Sequence, residues 1–494
     1  MVSSGNIAAE LSALIDSHFE WLIVRESGKT FAVQKPEIEI VCEERKILLG
    51  FPGDKGFRAW RVEGFSVEGG EEIELNLAAN FARDNEKIRL IPRASALEFS
   101  LNIELARLAK ANEIAAVIAK TFPGIRLFRV ALNAGNGRLA QIILESKSGD
   151  RTAALSDVSA ILSPETFLTT AILWHAKLRQ RRKKPIGEIW MVSERKYARN
   201  LQKIRALLNE AAKADLKIFE LSPKAAQPQL RELPGLKLSD LWREKPKKLV
   251  LPAVIEISET AKAILAVSPE KIDVIFSKQG ETLRFLGLPF ARVRKILGKE
   301  KAWFGIDRER RQLTDRSWCD LLDLVENLEN YRRSDSPGKR HELYRLSPES
   351  WLEAILRRNI KLLDTNLILS PIYNQFRTSA DKIDLLALRK DGRLVIIELK
   401  TSPDREILFQ AADYWRKIEL QRRRGELKNA KVFGDLEILD KPALVYAVAP
   451  ALSFHRDFEY FAKMLSKEIE LWRFELHENW RADLKVIARK SYFA

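Results

Sequence analysis

The sequence predicts a multidomain α/β protein whose C-terminal part is a helix–three strands–helix–strand core. Three observations lead there. The chain has 494 residues, too many for one compact core. Short runs of alternating apolar and polar residues are interspersed along it with segments of helical spacing. Finally, the order of these segments from residue 346 onwards is close to the order from 100 to 222, which makes the earlier block a candidate degenerate copy of the later one.

Residues 1–99 read as a mixed α/β region. "MVSSGNIAAELSALIDSHFEWL" fits an amphipathic helix and lacks a basic leader or an apolar signal core. "EIEIVCEERKILLGF" and "FRAWRVEGFSV" alternate as antiparallel strands turned by "PGDKG". Residues 100–222 give a helix over about 100–122, then "IRLFRVAL", "RLAQIILES" and "RTAALSDVSAIL". A helix capped at Ser163-Pro164-Glu165 follows, then "GEIWMVS", a basic helix and "KIFELS". Residues 223–248, rich in proline and charge, read as a linker. Residues 249–345 read as a small α/β region, with two short strands in "KIDVIFSKQGETLRFLGLPFARV", followed by a second linker. From 346 to 494 come the helix "SPESWLEAILRRNIKLLD", the strands "IYNQFRT", "KIDLLALRK" and "RLVIIELK", and the helix "DREILFQAADYWRKIELQRRR". The strand "ALVYAVA", the helix "FHRDFEYFAKMLSKE" and the strand "IELWRFEL" complete the order.

Composition narrows the function classes. The net charge is +16, with basic residues gathered at Lys177–Lys184, Trp242–Lys248, Asp307–Gln312 and Gln421–Lys428. A polyanionic partner, nucleic acid, is the functional reading of such runs, and solvated surface is the bland one. No run of about eighteen apolar residues predicts a membrane span. Cys42 and Cys319 are the only cysteines, which excludes a disulfide framework or a cysteine zinc site and suits a reducing cytoplasm. Five scattered histidines offer no metal-ligand cluster, and no "GxxxxGK[ST]" nucleotide loop occurs.

The chemistry concentrates between Lys382 and Trp415. In "RLVIIELK", alternation sends Leu394, Ile396, Glu398 and Lys400 to one face and Val395, Ile397 and Leu399 to the other. Both faces are apolar until the strand's end, where the first turns ionic, as expected of a buried strand that opens into a site. The hairpin "KDGR" joins this strand to "KIDLLALRK", and a turn at Asp391-Gly392 sets Asp384 across from Glu398. Two carboxylates meeting there repel unless one is protonated or a divalent cation lies between them. Oxygen ligands suit Mg²⁺.

An acidic strand residue, then Glu-X-Lys on its hairpin partner, resembles the signature of the PD-(D/E)XK nuclease superfamily. "QAADY" (Gln410 to Tyr414) is similar to the Gln-x-x-x-Tyr pattern of the RecB-like and lambda-exonuclease-like branches, and Glu353 to the helix glutamate of many members. The resemblance covers about Leu346 to Leu476. Ile383 stands where the name-giving proline would be. The resemblance implies a C-terminal restriction-endonuclease-like αβββαβ core with Mg²⁺, or Mn²⁺ as a substitute, held by Asp384, Glu398 and Glu353. It implies that Lys400 orients the attacking water or offsets negative charge. Gln410 and Tyr414 would brace the site or touch the phosphate backbone, with Arg405 as a weaker candidate. The expected activity is phosphodiester hydrolysis in nucleic acid, DNA before RNA. The alternative is a non-catalytic nucleic-acid-binding protein built on the same scaffold.

Each residue also has a plainer reading. Glu398 and Lys400 can be a strand-end ion pair, Asp381 can replace Asp384, Glu353 can be a solvated helix residue, Glu349 a first-turn dipole partner, and Tyr414 core. In the earlier block, matching Gly149 to Gly392 puts Gln141 at the position of Asp384, Leu155 at that of Glu398 and Asp157 at that of Lys400. No recognisable site is expected there.

Overall fold

A computed structural model describes residues 4–492 apart from 27–29, 44–45, 54–55, 69–70, 80–83, 94–95, 135, 160–161, 181–184, 223–228, 246–255, 278–279, 297–298, 307–310 and 371–383. The fold is mixed α/β and multidomain, as the sequence predicts. Two compact units divide the chain: Met1–Ala198 with Asp215–Leu233, and Arg199–Ala214 with Pro234–Ala494. Among the described residues, no helix is long and apolar enough to cross a membrane.

The first unit opens with a seven-stranded antiparallel sheet between Glu20 and Pro92, whose last strand returns to pair with its first. Trp21, Ile23, Leu49, Ile73, Leu75 and Leu90 bury its core face together with Leu11 and Ile15 of the Ser4–Asp16 helix. After the Ala96–Thr121 helix comes a six-stranded sheet: Ile125–Leu132, Leu139–Ser146, Arg151–Asp157, Ile189–Glu194, Leu216–Ser222 and Gln229–Glu232, in that spatial order. Successive pairings run antiparallel, antiparallel, parallel, parallel, antiparallel. The edge strand Gln229–Glu232 lies in the segment that reads as a linker. Its backbone groups pair with Leu216–Ser222, a role that composition does not disclose.

The second unit repeats the pattern. A five-stranded antiparallel meander, where the sequence suggests two strands, runs from Ile272 to Gln312. After the Pro348–Arg358 helix comes a six-stranded sheet: Leu367–Leu369, Leu385–Arg389, Leu394–Leu399, Leu444–Pro450, Glu470–Leu476 and Val486–Tyr492. Its pairings follow the same sequence of senses as those of the first unit. The two sheets therefore share strand order and direction, which is what a duplication requires. The expected strand "IYNQFRT" lies outside the described residues, among which Leu367–Leu369 holds the edge position. Val486–Tyr492 closes the other edge, and the helix expected over "FHRDFEYFAKMLSKE" is confined to Phe458–Ala462.

Matching hairpins carry the likeness to the level of single residues. In each, a three-residue loop ends on a glycine at positive φ: Gly149 at 85° and Gly392 at 84°. Only glycine adopts this conformation without strain. Arg389 N–H donates to the Arg393 carbonyl at 2.8 Å, and Ser146 N–H to that of Asp150 at 2.9 Å. The loop is thus one residue longer than a bare Asp-Gly turn, and this third residue is what pairs Leu385 with Ile397 rather than with Glu398.

The meander is locked to the Pro348–Arg358 helix at Gly287. Its φ is 82°, and a Cβ there would collide with the Ser350 carbonyl. Gly287→Ala is expected to part the two elements and destabilise the second unit by more than 2 kcal/mol, from strain at a left-handed site plus overpacking. Urea denaturation should show the midpoint falling with an unchanged slope.

Candidate active site

The strand Leu394–Leu399 is buried along its whole length. Val395, Ile397 and Leu399 pack with Trp351, Leu352 and Leu356 of the Pro348–Arg358 helix. Alternation sends Glu398 to the opposite face, and the strand also contacts the Ile407–Arg423 helix. Leu385 pairs with Ile397, so one further step of the register sets Asp384 opposite Glu398. One Asp384 oxygen accepts the Leu399 N–H at 2.8 Å, which ties the two strands together at their ends.

Three of the expected residues meet here. Glu398 is 3% exposed, and its Oε1 lies 3.3 Å from Lys400 Nζ. Among the described residues, its buried Oε2 has no hydrogen-bond partner. Lys400 reaches Asp404 Oδ2 at 3.3 Å as well. Burial pushes the Asp384 carboxyl up to about 6. The Leu399 amide and Lys400 oppose that rise, and the charges of Glu353 and Glu349 add to it. Glu398 is raised well above the usual carboxylate range by burial and then by the charge of Asp384. Burial alone would lower Lys400, but Glu398, Glu349, Asp404 and Asp384 outweigh it and hold the ammonium charged.

The other expected residues sit differently. Glu353, 4% exposed, accepts from Arg284 Nη1 at 3.3 Å and lies 3.6 Å from Arg357 Nη1. Arg284, itself buried, also binds Asp273 at 2.5 Å. The helix glutamate thus belongs to a buried ion-pair network with the meander rather than to solvent, and its charge also acts on Asp384. Among the described residues, the buried Gln410 Oε1 has no hydrogen-bond partner, and Lys417 Nζ lies 5.3 Å from the Tyr414 ring centre. Arg405 Nε lies 3.4 Å from Asp457.

Sequence reasoning passed over Asp404 and read Glu349 only as a first-turn dipole partner, yet both act on Lys400. Asp404 lies four residues after Lys400 in a loop, where no periodicity marks it. Glu349 lies one helical turn before Glu353 on the same helix face, and that spacing was the available signal. The basic run at Gln421–Lys428 makes contacts within the fold, with Arg423, Arg424 and Lys428 still exposed. Arg422 binds the buried Glu419, Arg423 lies 4.5 Å from the Trp242 ring centre, and Arg424 donates to the carbonyls of Trp242 and Glu244. These arginines are occupied within the fold. In the first unit, Leu155 pairs with Gln141, the register expected from Gly149, and Asp157 accepts from the Ser159 amide and hydroxyl, both at 2.8 Å, as a strand-end cap.

Among the described residues, no group of three or more His, Cys, Asp or Glu side chains is set to hold a metal ion. The donor chemistry of the Asp384–Glu398 pair nevertheless fits a hard cation. Both groups offer oxygen, both are raised by burial, and one buried oxygen lacks a partner.

The same geometry makes stability depend on pH. The folded pKa of Asp384 lies above its unfolded value, so its favourable contribution is complete below about pH 4 and lost as pH rises through 6. Without a cation, Asp384→Asn is expected to stabilise the protein at pH 8 by about 2–3 kcal/mol, because the amide oxygen can still accept the Leu399 N–H. At pH 4 the two proteins should match. Urea unfolding in EDTA at both pH values checks this, and added Mg²⁺ should stabilise only the wild type.

No family model and no curated protein matches this chain. It is similar to the solved structure of EndoMS in apo form, at 11% identity, covering 44% of this chain and 95% of that one, with a TM-score of 0.17. A likeness at that score carries no argument about this chain.

Proposed function

We propose that the second unit is a Mg²⁺-dependent nuclease that hydrolyses phosphodiester bonds in nucleic acid, with DNA as its substrate. The observation that carries the proposal is the pair of strand-end carboxylates, one with an unpartnered buried oxygen, beside a lysine held charged. A protein that only bound polyanions would gain nothing from acidic groups at this position.

Asp384 and Glu398 would hold the cation, with Mn²⁺ able to replace Mg²⁺. When bound, a divalent cation supplies Lewis-acid polarisation of the scissile phosphate and a lowered pKa for an attacking water. Lys400 stays protonated, so it acts as a hydrogen-bond donor and positive charge rather than as a base. It orients the water or neutralises charge developing on phosphate oxygen as the new P–O bond forms and the old one breaks. Asp404 is a second anchor for the Lys400 ammonium.

The test is cleavage of supercoiled plasmid and single-stranded circles by the wild type and Asp384→Asn, in Mg²⁺ and in EDTA. Cleavage by the wild type in Mg²⁺ alone is the expected result. Binding of either substrate without any cleavage would leave the non-catalytic scaffold as the function.

A further inference from the structure

The loop after the Leu444–Pro450 strand presents an apolar side chain that it has no slack to bury. Leu452 is 81% exposed. Its N–H donates to Glu478 at 2.8 Å, and the neighbouring Ser453 hydroxyl donates to the Thr401 carbonyl at 3.0 Å. Phe454 forms a backbone bridge to Asp404, and its ring lies 4.1 Å from the Arg473 guanidinium. An isolated exposed leucine is ordinary. One held out on a loop that is braced at three successive residues and also carries the strongly exposed Arg456 is a different matter.

The Arg456 side chain is 86% exposed and that of Arg405 is 40% exposed. Asp457 lines both up, lying 3.8 Å from Arg456 Nε and 3.4 Å from Arg405 Nε, and each guanidinium keeps further N–H groups for another acceptor. His455 Nδ1 accepts the Asp457 N–H at 3.1 Å, so this imidazole sits in the neutral form with its other nitrogen protonated, and the arginines carry the charge. The loop also belongs to the active-site edge of the sheet. Lys400 N–H donates to the Val448 carbonyl at 3.0 Å, four residues before Leu452, and Thr401 holds Ser453. In open α/β sheets this crevice beyond the carboxyl ends of the strands is where ligands bind.

We infer that loop 451–456, with Arg405, is a nucleic-acid grip beside the cleavage centre, in which Arg405 and Arg456 bind backbone phosphates flanking the scissile one while Leu452 wedges against a base step. The inference rests on the nuclease reading and extends it to substrate engagement. Apolar wedges flanked by phosphate-binding cations unstack base steps and bend duplexes, and rigid support is what such a side chain needs. The occupant is nucleic acid because exposed Arg456 and half-exposed Arg405 lie at the sheet end that carries Lys400, where a substrate chain leaving the cleavage centre would meet them.

The test measures binding of the full chain, in EDTA, to a labelled DNA duplex carrying 2-aminopurine, across a series of NaCl concentrations. Arg456→Ala and Arg405→Ala are each expected to weaken binding and to reduce the slope of log affinity against log salt by about 0.9. The exposed lysine variant Lys339→Ala, with the same change in charge, should leave the slope unaltered. Leu452→Ala should keep the parental slope, bind more weakly and lose the rise in 2-aminopurine fluorescence that reports unstacking. Slopes for both arginine variants equal to that of Lys339→Ala, with Leu452→Ala binding like the parent, would overturn the grip while wild-type cleavage still upheld the nuclease. Self-association of the wild type that disappears in Leu452→Ala would likewise overturn it, making the loop a contact between copies. A wild type that neither binds nor cuts would remove the nuclease reading itself.

Discussion

Glu398→Ala is expected to lower Mg²⁺-dependent cleavage by about a thousandfold or more, with little loss of stability. The large effect follows from position. Glu398 is fully enclosed, faces Asp384 across the hairpin, and has one oxygen bound to Lys400 and the other unengaged. Its removal takes away half of the cation's anionic support and one of the lysine's two anchors. Losing a group that stabilises developing charge in a dry site costs about 3–4 kcal/mol or more in the barrier. The folded state suffers less, since the alanine also relieves a buried carboxylate of its repulsion from Asp384. Calorimetric titration with Mg²⁺ should show the binding heat vanish while the thermal midpoint at pH 8 stays level or rises. Cleavage within tenfold of wild type would remove the assigned site.

Lys400→Met is expected to lower turnover by about 100- to 1,000-fold, and to leave Mg²⁺ affinity equal or higher. The signs differ because the ammonium repels the cation but attracts the transition state. Since four carboxylates hold Lys400 charged, its deprotonation should not limit the rate near neutrality. The acidic limb of the pH–rate profile instead belongs to the carboxyl pair, so wild-type activity should climb as Asp384 ionises, at a pH below its metal-free value of about 6 that falls further as Mg²⁺ is raised. Lys400→Arg, which keeps the charge but not the point geometry, should recover part of the rate. A methionine variant that lost cation affinity rather than turnover would show that the lysine only organises its neighbours.

How far the sequence discloses this molecule depends on how local each determinant is. The hairpin about Asp391 and Gly392 is legible because a glycine at positive φ and strict alternation fix the register within fifteen residues. The shared order of the two sheets is legible for the same reason, since each pairing in the first three strands is between chain neighbours. The partners of Glu353 are hidden because Arg284 lies 69 residues upstream, in a strand whose pattern gives no hint of a buried charge. Gln229–Glu232 and Leu367–Leu369 are too short for periodicity to register. The contacts of the arginines at 422–424 are hidden because nothing near them in the chain announces Trp242 or Asp440.

The twin hairpins ending at Gly149 and Gly392 give the chain an internal yardstick. One carries glutamine and leucine where the other carries aspartate and glutamate, on the same strand order and the same turn. Architecture by itself therefore makes no demand for charge at those places. Whatever fragility gathers around Glu398 is owed to the ions it is equipped to meet, and the first sheet shows the same scaffold without that burden.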